Sequence, residues 1–411
     1  MAILMKRVIC MTTKPTKYHL EIQTHRKNPY GLLRTSYRED GKVRHDNICR
    51  FSGLSLEQLY GMQAALQGRT VMKEDFKITL SREYGASHAL YTLMKEIGLM
   101  SDIYSRPSEE WVRSSLAMIA GRIIYAGSKL SLSHCGSYSA LWEVCGIDNV
   151  DVNIHCYEAM DRLLERQDAI QRNLAKKHLQ DGMIVLYDIT SSYFEGEYDD
   201  SDLVEFGYNR DKKRGKEQIV ISLLCSKDGC PVAVEVLKGN TKDETMVFDK
   251  IAELKEKYGM KKAVFVGDRG MVKKFNYEHV IYTDVTAEDM AACEVVAYYK
   301  SLVKVEQAFT NMKTVRLEIH PVYHKTDDRI KCHVFICMLA YYVMWHMKQR
   351  LQPLFEIDGT EAGRKYTFDY IMETLKCIRK NTVEFQNAIT NVITVPTDEQ
   401  NRILQLLGIS Q

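Results

Sequence analysis

The spacing of apolar positions changes along the chain, and each change marks a different kind of structure. From residue 1 to about 75 the period is close to two. Lys17-Tyr-His-Leu-Glu-Ile-Gln alternates, and Leu32-Leu-Arg-Thr-Ser-Tyr-Arg leads into Glu39-Asp-Gly-Lys, a hairpin-type turn. The segment closes on Ser55-Leu-Glu-Gln-Leu-Tyr-Gly-Met-Gln-Ala-Ala-Leu, which predicts a short helix with Ser55 as N-cap. From about 80 to 180 apolar residues recur every three or four positions. Helices are predicted over Ala86 to Ile97, Glu109 to Tyr125, Tyr138 to Cys145 and Tyr157 to His178, punctuated by Pro107 and Gly136-Ser137.

From 181 the pattern returns to strands. Met183-Ile-Val-Leu-Tyr187 and Ala263-Val-Phe-Val-Gly267 are short apolar runs of the kind found in buried strands. Gln218-Ile-Val-Ile-Ser-Leu-Leu-Cys and Pro231-Val-Ala-Val-Glu-Val-Leu flank Lys227-Asp-Gly and read as an antiparallel hairpin. An amphipathic helix over Glu244 to Tyr258, a strand over His279 to Val285 and a long helix from about Ala287 to Lys313 follow. Asp327 to Gln349 is an apolar helix suited to covering the sheet, and the chain beyond Pro353 reads as a helical tail. This order predicts an α/β fold, a mixed sheet flanked by helices, preceded by a small β-rich segment and a helical bundle.

A chain of 411 residues exceeds a single core. Four regions are therefore expected: 1–75, β-rich; 80–180, helical; 181–350, α/β; and 351–411, a helical tail. The net charge is only +2, so polyanion binding must rest on local patches rather than on the overall field. Arg26, Lys27, Arg34, Arg38, Lys42, Arg44 and Arg50 make the first segment basic. Both a solvated hairpin face and a nucleic-acid contact surface fit that pattern. The N-terminus lacks a secretory pattern, and no run of about 18 apolar residues predicts a membrane span. The eleven cysteines are scattered and odd in number, as expected of reduced thiols in a cytoplasmic compartment. Cys225 with Cys230, and Cys332 with Cys337 near His333, lack CxxC spacing and are expected to be buried thiols rather than a zinc site.

Three acids carry the chemistry. Asp188 ends the run 183–187, Asp268 ends the run 263–267, and Glu306 lies in Tyr299-Lys-Ser-Leu-Val-Lys-Val-Glu-Gln-Ala-Phe. If the two apolar runs are neighbouring strands of the same direction, both aspartates fall where open sheets collect their ligands. Paired carboxylates repel unless a cation intervenes, and oxygen donors select Mg2+ or Mn2+. At seven-residue steps, Tyr299, Glu306 and Lys313 would share one face of a continuous helix. Arg210, Lys212, Lys213, Arg214 and Lys216 form a cationic loop suited to a phosphate backbone. Lys238-Gly-Asn-Thr-Lys-Asp243 lacks the phosphate-loop spacing, and Asp199-Asp200-Ser-Asp202 reads as a solvated acidic loop rather than a calcium site.

These residues, together with Tyr187-Asp-Ile-Thr-Ser-Ser-Tyr-Phe-Glu-Gly, Phe206-Gly-Tyr-Asn-Arg-Asp, Lys238-Gly-Asn-Thr-Lys-Asp, Gly267-Asp-Arg-Gly-Met and Val305-Glu-Gln-Ala-Phe-Thr-Asn-Met-Lys, carry a resemblance. The chain resembles DDE transposases of bacterial insertion sequences, in the group whose glutamate lies in a Tyr/Arg/Glu/Lys helix signature. The resemblance implies a ribonuclease H-like, mixed five-stranded sheet, with Asp188, Asp268 and Glu306 as the catalytic, metal-binding triad for two Mg2+ or Mn2+ ions. It implies DNA contacts by Tyr299 and Lys313, DNA-end binding or dimer contact by the helical region 80–180, catalysis by 181–350, terminal inverted repeats and target DNA as partners, a homodimer on DNA, and a cytoplasmic, nucleoid-associated location with no membrane. The sequence departs from the pattern at Leu302, which occupies the signature arginine position. It departs again in the 37 residues between Asp268 and Glu306, where such enzymes commonly carry a β-rich insertion. The alternatives are a catalytically impaired DNA-binding relic with an internal deletion, or a non-transposing nuclease of the same fold.

Overall fold

A computed structural model describes residues 18–24, 28–39, 42–67, 76–180, 184–195, 198, 201–207, 215–241, 256–259, 264–266, 291–313, 317, 319, 322, 324–357, 365–385 and 388–409. The chain divides into two units, Met1–Ile78 with Val383–Ile389, and Thr79–Thr382 with Thr390–Gln411.

In the first unit, strands β1 (Tyr18–Gln23), β2 (Tyr30–Glu39) and β3 (Lys42–Ser52) form an antiparallel sheet in that order. Helix α1 (Leu56–Leu66) begins at the expected cap: Ser55 Oγ accepts from Gln58 N–H, and the Gln58 side chain accepts from Ser55 N–H. Leu59 of α1 is fully buried beside Leu20 and Gly31. A Cβ at Gly31 would meet Leu59 Cδ2 at 2.9 Å, so the missing side chain is what lets the helix approach the sheet.

The second unit opens at Thr79, within β4 (Phe76–Glu83), which is followed by α2 (Gly85–Glu96), α3 (Leu99–Ile103), α4 (Glu110–Ile124), α5 (Lys129–Ser133), α6 (Leu141–Val144), α7 (Ala159–Glu165) and α8 (Gln167–His178). Helix α4 is buried on all sides from Ser114 to Ile124, as befits the centre of a bundle. Two expected helices are shorter than their patterns suggest. A 3-10 turn at Cys135–Ser137 and the Ser139 hydroxyl, which accepts from Leu141 N–H, delay the start of α6. The Tyr157–His178 segment breaks at Arg166, whose N–H bonds the Leu163 carbonyl and closes the α ladder with a tighter turn.

A mixed sheet follows, built from β5 (Ile184–Tyr193), β6 (Glu205–Phe206), β7 (Glu217–Ser226), β8 (Pro231–Lys238) and β9 (Val264–Val266). β7 pairs antiparallel with β5 along one edge, and with β8 and the short β6 along the other. The β7–β8 hairpin turns at the expected Lys227-Asp-Gly, with Gly229 at φ +83°. β9 pairs with β5 in parallel, Leu186 opposite Val266. Gln167 and Gln171 of α8 satisfy the outer edge of β8 by bonding the carbonyl and N–H of Val234 at 2.9 and 2.7 Å.

Beyond the sheet lie α9 (Ala292–Lys300), α10 (Val303–Lys313) and α11 (Asp327–Ile357). α10 packs against β5, and α11 against β8, α4 and α7. α11 is long and apolar enough to cross a bilayer, but 83% of its most apolar window is buried inside the protein, so it serves as the core helix of this unit. It runs through Pro353, past the expected stop near Gln349. The proline is exposed, and buried Leu351 and Leu354 anchor the turn on either side. The C-terminal segment then gives α12 (Phe368–Lys376), β10 (Arg379–Phe385), β11 (Ala388–Ile393) and α13 (Asp398–Leu406).

Two organisational expectations need correcting. The residues after 350 are not only helical, because β10 sits between β11 and β4, with the Arg379 guanidinium bonding the Ser81 carbonyl and hydroxyl at 2.8 Å. The boundary expected near 180 separates no units, because α4, α7, α8, α11 and the sheet share one core.

One buried charge in that core has a measurable consequence. Lys129 is 3% exposed, and burial, followed by the Arg122 guanidinium, pulls its ammonium down to about 8 from 10.5. Between about pH 8 and 10.5 the unfolded chain holds this proton and the folded chain does not, so stability rises with pH across that window. At pH 7 both states carry the charge and the cost is full. Lys129→Met is therefore expected to be more stable than the wild type at pH 7 by up to about 3 kcal/mol. In denaturant titrations this gap should close as pH approaches 10.5; a pH-independent gap would contradict the assignment.

Candidate active site

Asp188 lies within β5 rather than at its end. The strand continues through Ile189-Thr-Ser-Ser to Tyr193 because these β-favouring residues keep pairing with β7, down to Tyr193 opposite Gln218. Asp188 itself sits opposite Leu223 and is half-buried, and its Oδ1 accepts the N–H of Ile189 at 2.8 Å. The carboxylate is felt by its neighbour across the sheet: burial first, and Asp188 second, push the Cys225 thiol up. Asp268 lies outside the described residues. In sequence it stands two positions after Val266, as Asp188 stands two positions after Leu186, the partner of Val266 in the parallel register.

Glu306 lies in the first turn of α10, the helix that packs against β5. Val305, Ala308, Phe309 and Met312 turn inward, while Glu306 is exposed. Its carboxylate has no hydrogen bond or ion pair among the described residues. Lys304, two residues earlier and on a different side of the helix, is occupied elsewhere: its Nζ donates to the Lys227 carbonyl at 3.0 Å, holding the β7–β8 turn.

Tyr299, Glu306 and Lys313 do not share a continuous helix. Leu302, Lys304 and Val305 bond the carbonyls three residues back, so α9 and α10 meet at a tight turn. The Ser301 hydroxyl donates to the Ala297 carbonyl four residues back at 3.1 Å, a bond that bends helices. Glu306 and Lys313 keep a common face within α10, and half-buried Tyr299 belongs to α9. Leu302, at the position the signature fills with arginine, is buried at the turn and acts as a packing anchor.

Of the cationic loop, Lys216 is described and exposed, just after Gly215 at φ +73°; Arg210, Lys212, Lys213 and Arg214 lie outside the described residues. In the N-terminal sheet, Arg34 is held by Glu21 and by Asn47 Oδ1, the latter at 2.8 Å, and Arg50 lies 3.9 Å over the Tyr30 ring. Arg38, Lys42 and Arg44 are exposed on β2 and β3.

The Phe206-Gly207 and Lys238-Gly239 stretches meet in space. The Gly239 N–H donates to the Leu203 carbonyl at 2.9 Å, and its carbonyl accepts from the Gln218 side chain at 2.8 Å. Gly207 and Gly239 approach each other backbone to backbone beside the start of β7. A cleft of about 310 Å³ lined by Tyr187, Gln171, Ser222 and Lys257 lies on the side of the sheet that Tyr187 faces, away from Asp188. Sequence spacing missed one further cluster, His178, Cys230 and His346, whose members are too far apart in the chain for any spacing rule.

Comparison with protein-family models and with curated proteins finds no match.

Proposed function

We propose that the chain is a metal-dependent DNA transposase of the DDE type, which cleaves the ends of its element and joins them to target DNA. The observation that carries this reading is the parallel pairing of β5 and β9, with α10 packed against β5. Strand segments leading to Asp188 and Asp268 then run side by side, and the helix bearing Glu306 lies on the same sheet. A ribonuclease H-like sheet is supported by the neighbour order β8-β7-β5-β9, antiparallel throughout except at β9. The fifth strand expected over His279 to Val285 lies outside the described residues.

The donor set fits hard divalent cations. Asp188 and Glu306 offer carboxylate oxygens, one half-buried and one exposed with no ion pair among the described residues, and Asp268 would complete them. Two Mg2+ or Mn2+ ions, when bound, would polarise the scissile phosphate and activate the attacking oxygen. The chain's own groups hold the DNA around that centre. Lys313, one helix face from Glu306, would take a phosphate oxygen; Lys216 and the loop before it would track the backbone; exposed Arg38, Lys42 and Arg44 would add a second basic contact. The low net charge makes such patches the source of affinity.

The test is cleavage of a duplex carrying the inverted repeat that flanks the coding region. Purified protein in Mg2+ is expected to expose a 3′-hydroxyl at the element boundary and to leave unrelated duplex intact. Cutting indifferent to the repeat would instead mark a nuclease of the same fold. Binding without nicking, in Mn2+ as well, would mark an impaired relic.

A further inference from the structure

His178, Cys230 and His346 come from three elements that the fold brings to one place. His178 is the last residue of α8, Cys230 ends the β7–β8 turn, and His346 lies on α11. One candidate donor atom from each lies within 4.8 Å of the others. In a tetrahedral zinc site such atoms sit roughly 3.3–3.7 Å apart, so closure needs a movement of about 1 Å.

The surroundings favour an ion over a plain core contact. Cys230 is fully buried, and the nearest acceptor for its thiol is the Pro231 carbonyl at 3.9 Å, a weak contact. His346 Nε2 is buried and has no hydrogen-bond partner, which leaves a ring nitrogen unused in the protein interior. The His178 ring is held by the Tyr342 hydroxyl at 2.9 Å from Nε2, the outer-shell arrangement that orients a ligating imidazole. The Tyr342 and Trp345 rings flank His346 in T-shaped contacts at ring distances of 4.6 and 5.0 Å, and Trp345 Nε1 donates to the Asp228 carbonyl of the same hairpin turn. Lys177, the nearby cation, is already paired with Asp102 at 2.5 Å.

We infer that His178, Cys230 and His346 form a zinc site that ties the end of α8 and the β7–β8 hairpin to the core helix. Two imidazoles and a thiolate are soft donors that select Zn2+ over Mg2+, so this centre is separate in chemistry from the carboxylates at Asp188 and Glu306. On binding, the Cys230 thiol loses its proton to solvent, the sulfur and two ring nitrogens donate lone pairs, and no oxidation state changes. Three protein ligands leave a fourth position for water.

The test uses the full chain, stripped with chelator and titrated with ZnCl2 against a chromophoric competitor. One equivalent of Zn2+ per chain is expected, with release of the thiol proton and a higher unfolding temperature. Cys230→Ser is expected to lose this binding, Cys225→Ser on the neighbouring strand to keep it, and Tyr342→Phe to weaken it by roughly 10- to 100-fold. If Cys230→Ser fails to fold, the wild-type protein still decides: Co2+ should give a near-ultraviolet thiolate charge-transfer band and tetrahedral visible bands. Failure to take up one equivalent of Zn2+, a Co2+ spectrum without the thiolate band, or undiminished binding by a folded Cys230→Ser would each overturn the assignment.

Discussion

Asp188→Asn and Glu306→Gln are each expected to reduce end cleavage by at least about 10²–10³-fold while leaving the thermal unfolding profile close to that of the wild type. Both changes keep the volume of the side chain and remove the negative charge that a divalent cation needs. The structural cost is small for separate reasons. Glu306 is exposed and makes no ion pair among the described residues, so its charge gives α10 only a first-turn dipole interaction of about 0.3–1 kcal/mol. Asp188 accepts the Ile189 N–H through Oδ1, a bond that an asparagine oxygen can also accept, and β5 is held at this point by its pairing with β7. A drop in activity matched by a drop in folded fraction would make both residues structural. Lys313→Ala is a useful contrast, because a phosphate contact should weaken DNA binding and its salt dependence more than the chemical step.

Gly239→Ala is expected to be among the most destabilising single changes in the chain, by about 3 kcal/mol or more, with loss of soluble protein a common outcome. A methyl group here would collide with the carbonyl oxygens of Gln218 and Glu205, which are backbone atoms of β7 and β6 and cannot rotate away. The same position anchors two hydrogen bonds, its N–H to Leu203 and its carbonyl from the buried Gln218 side chain. Relief would require β6 to detach from the start of β7, close to the loop that carries Lys216. Gly61→Ala provides the control: nothing lies within 4 Å of its added methyl on α1, and helix propensity favours alanine. Chemical denaturation of the two variants should therefore move in opposite directions, and equal midpoints would contradict the packing argument.

What was legible in the sequence was local. Ser55 and Gln58 announce α1 through their capping pattern, Lys227-Asp-Gly announces the β7–β8 turn, and the apolar runs before Asp188 and Asp268 announce β5 and β9. Each of these signals acts within a few residues, where backbone preferences decide. What failed depended on contacts between distant residues or on a single competing bond. The Tyr299–Lys313 face looked continuous because apolar spacing continued, yet one serine bonding back to Ala297 bends the chain there. β11 pairs only with β10, and β10 is completed on its other edge by β4, about three hundred residues earlier, so the tail shows its strands only once that distant partner is in place. The three acids stand out in the sequence by their positions after apolar runs and on a helix; the fold adds the pairing of β9 with β5 and the packing of α10 on β5, which spacing alone leaves conditional.

The central claim, that carboxylates gathered at this sheet direct phosphodiester transfer, is tested most directly by the joining step. A duplex bearing the element end with a free 3′-hydroxyl is mixed with target plasmid, Mg2+ and purified protein, and covalent joints are mapped by sequencing. Joints at the 3′ end of the element, dependent on the divalent ion and absent with Asp188→Asn, are the predicted result. Joints that form equally well with folded Asp188→Asn would contradict it.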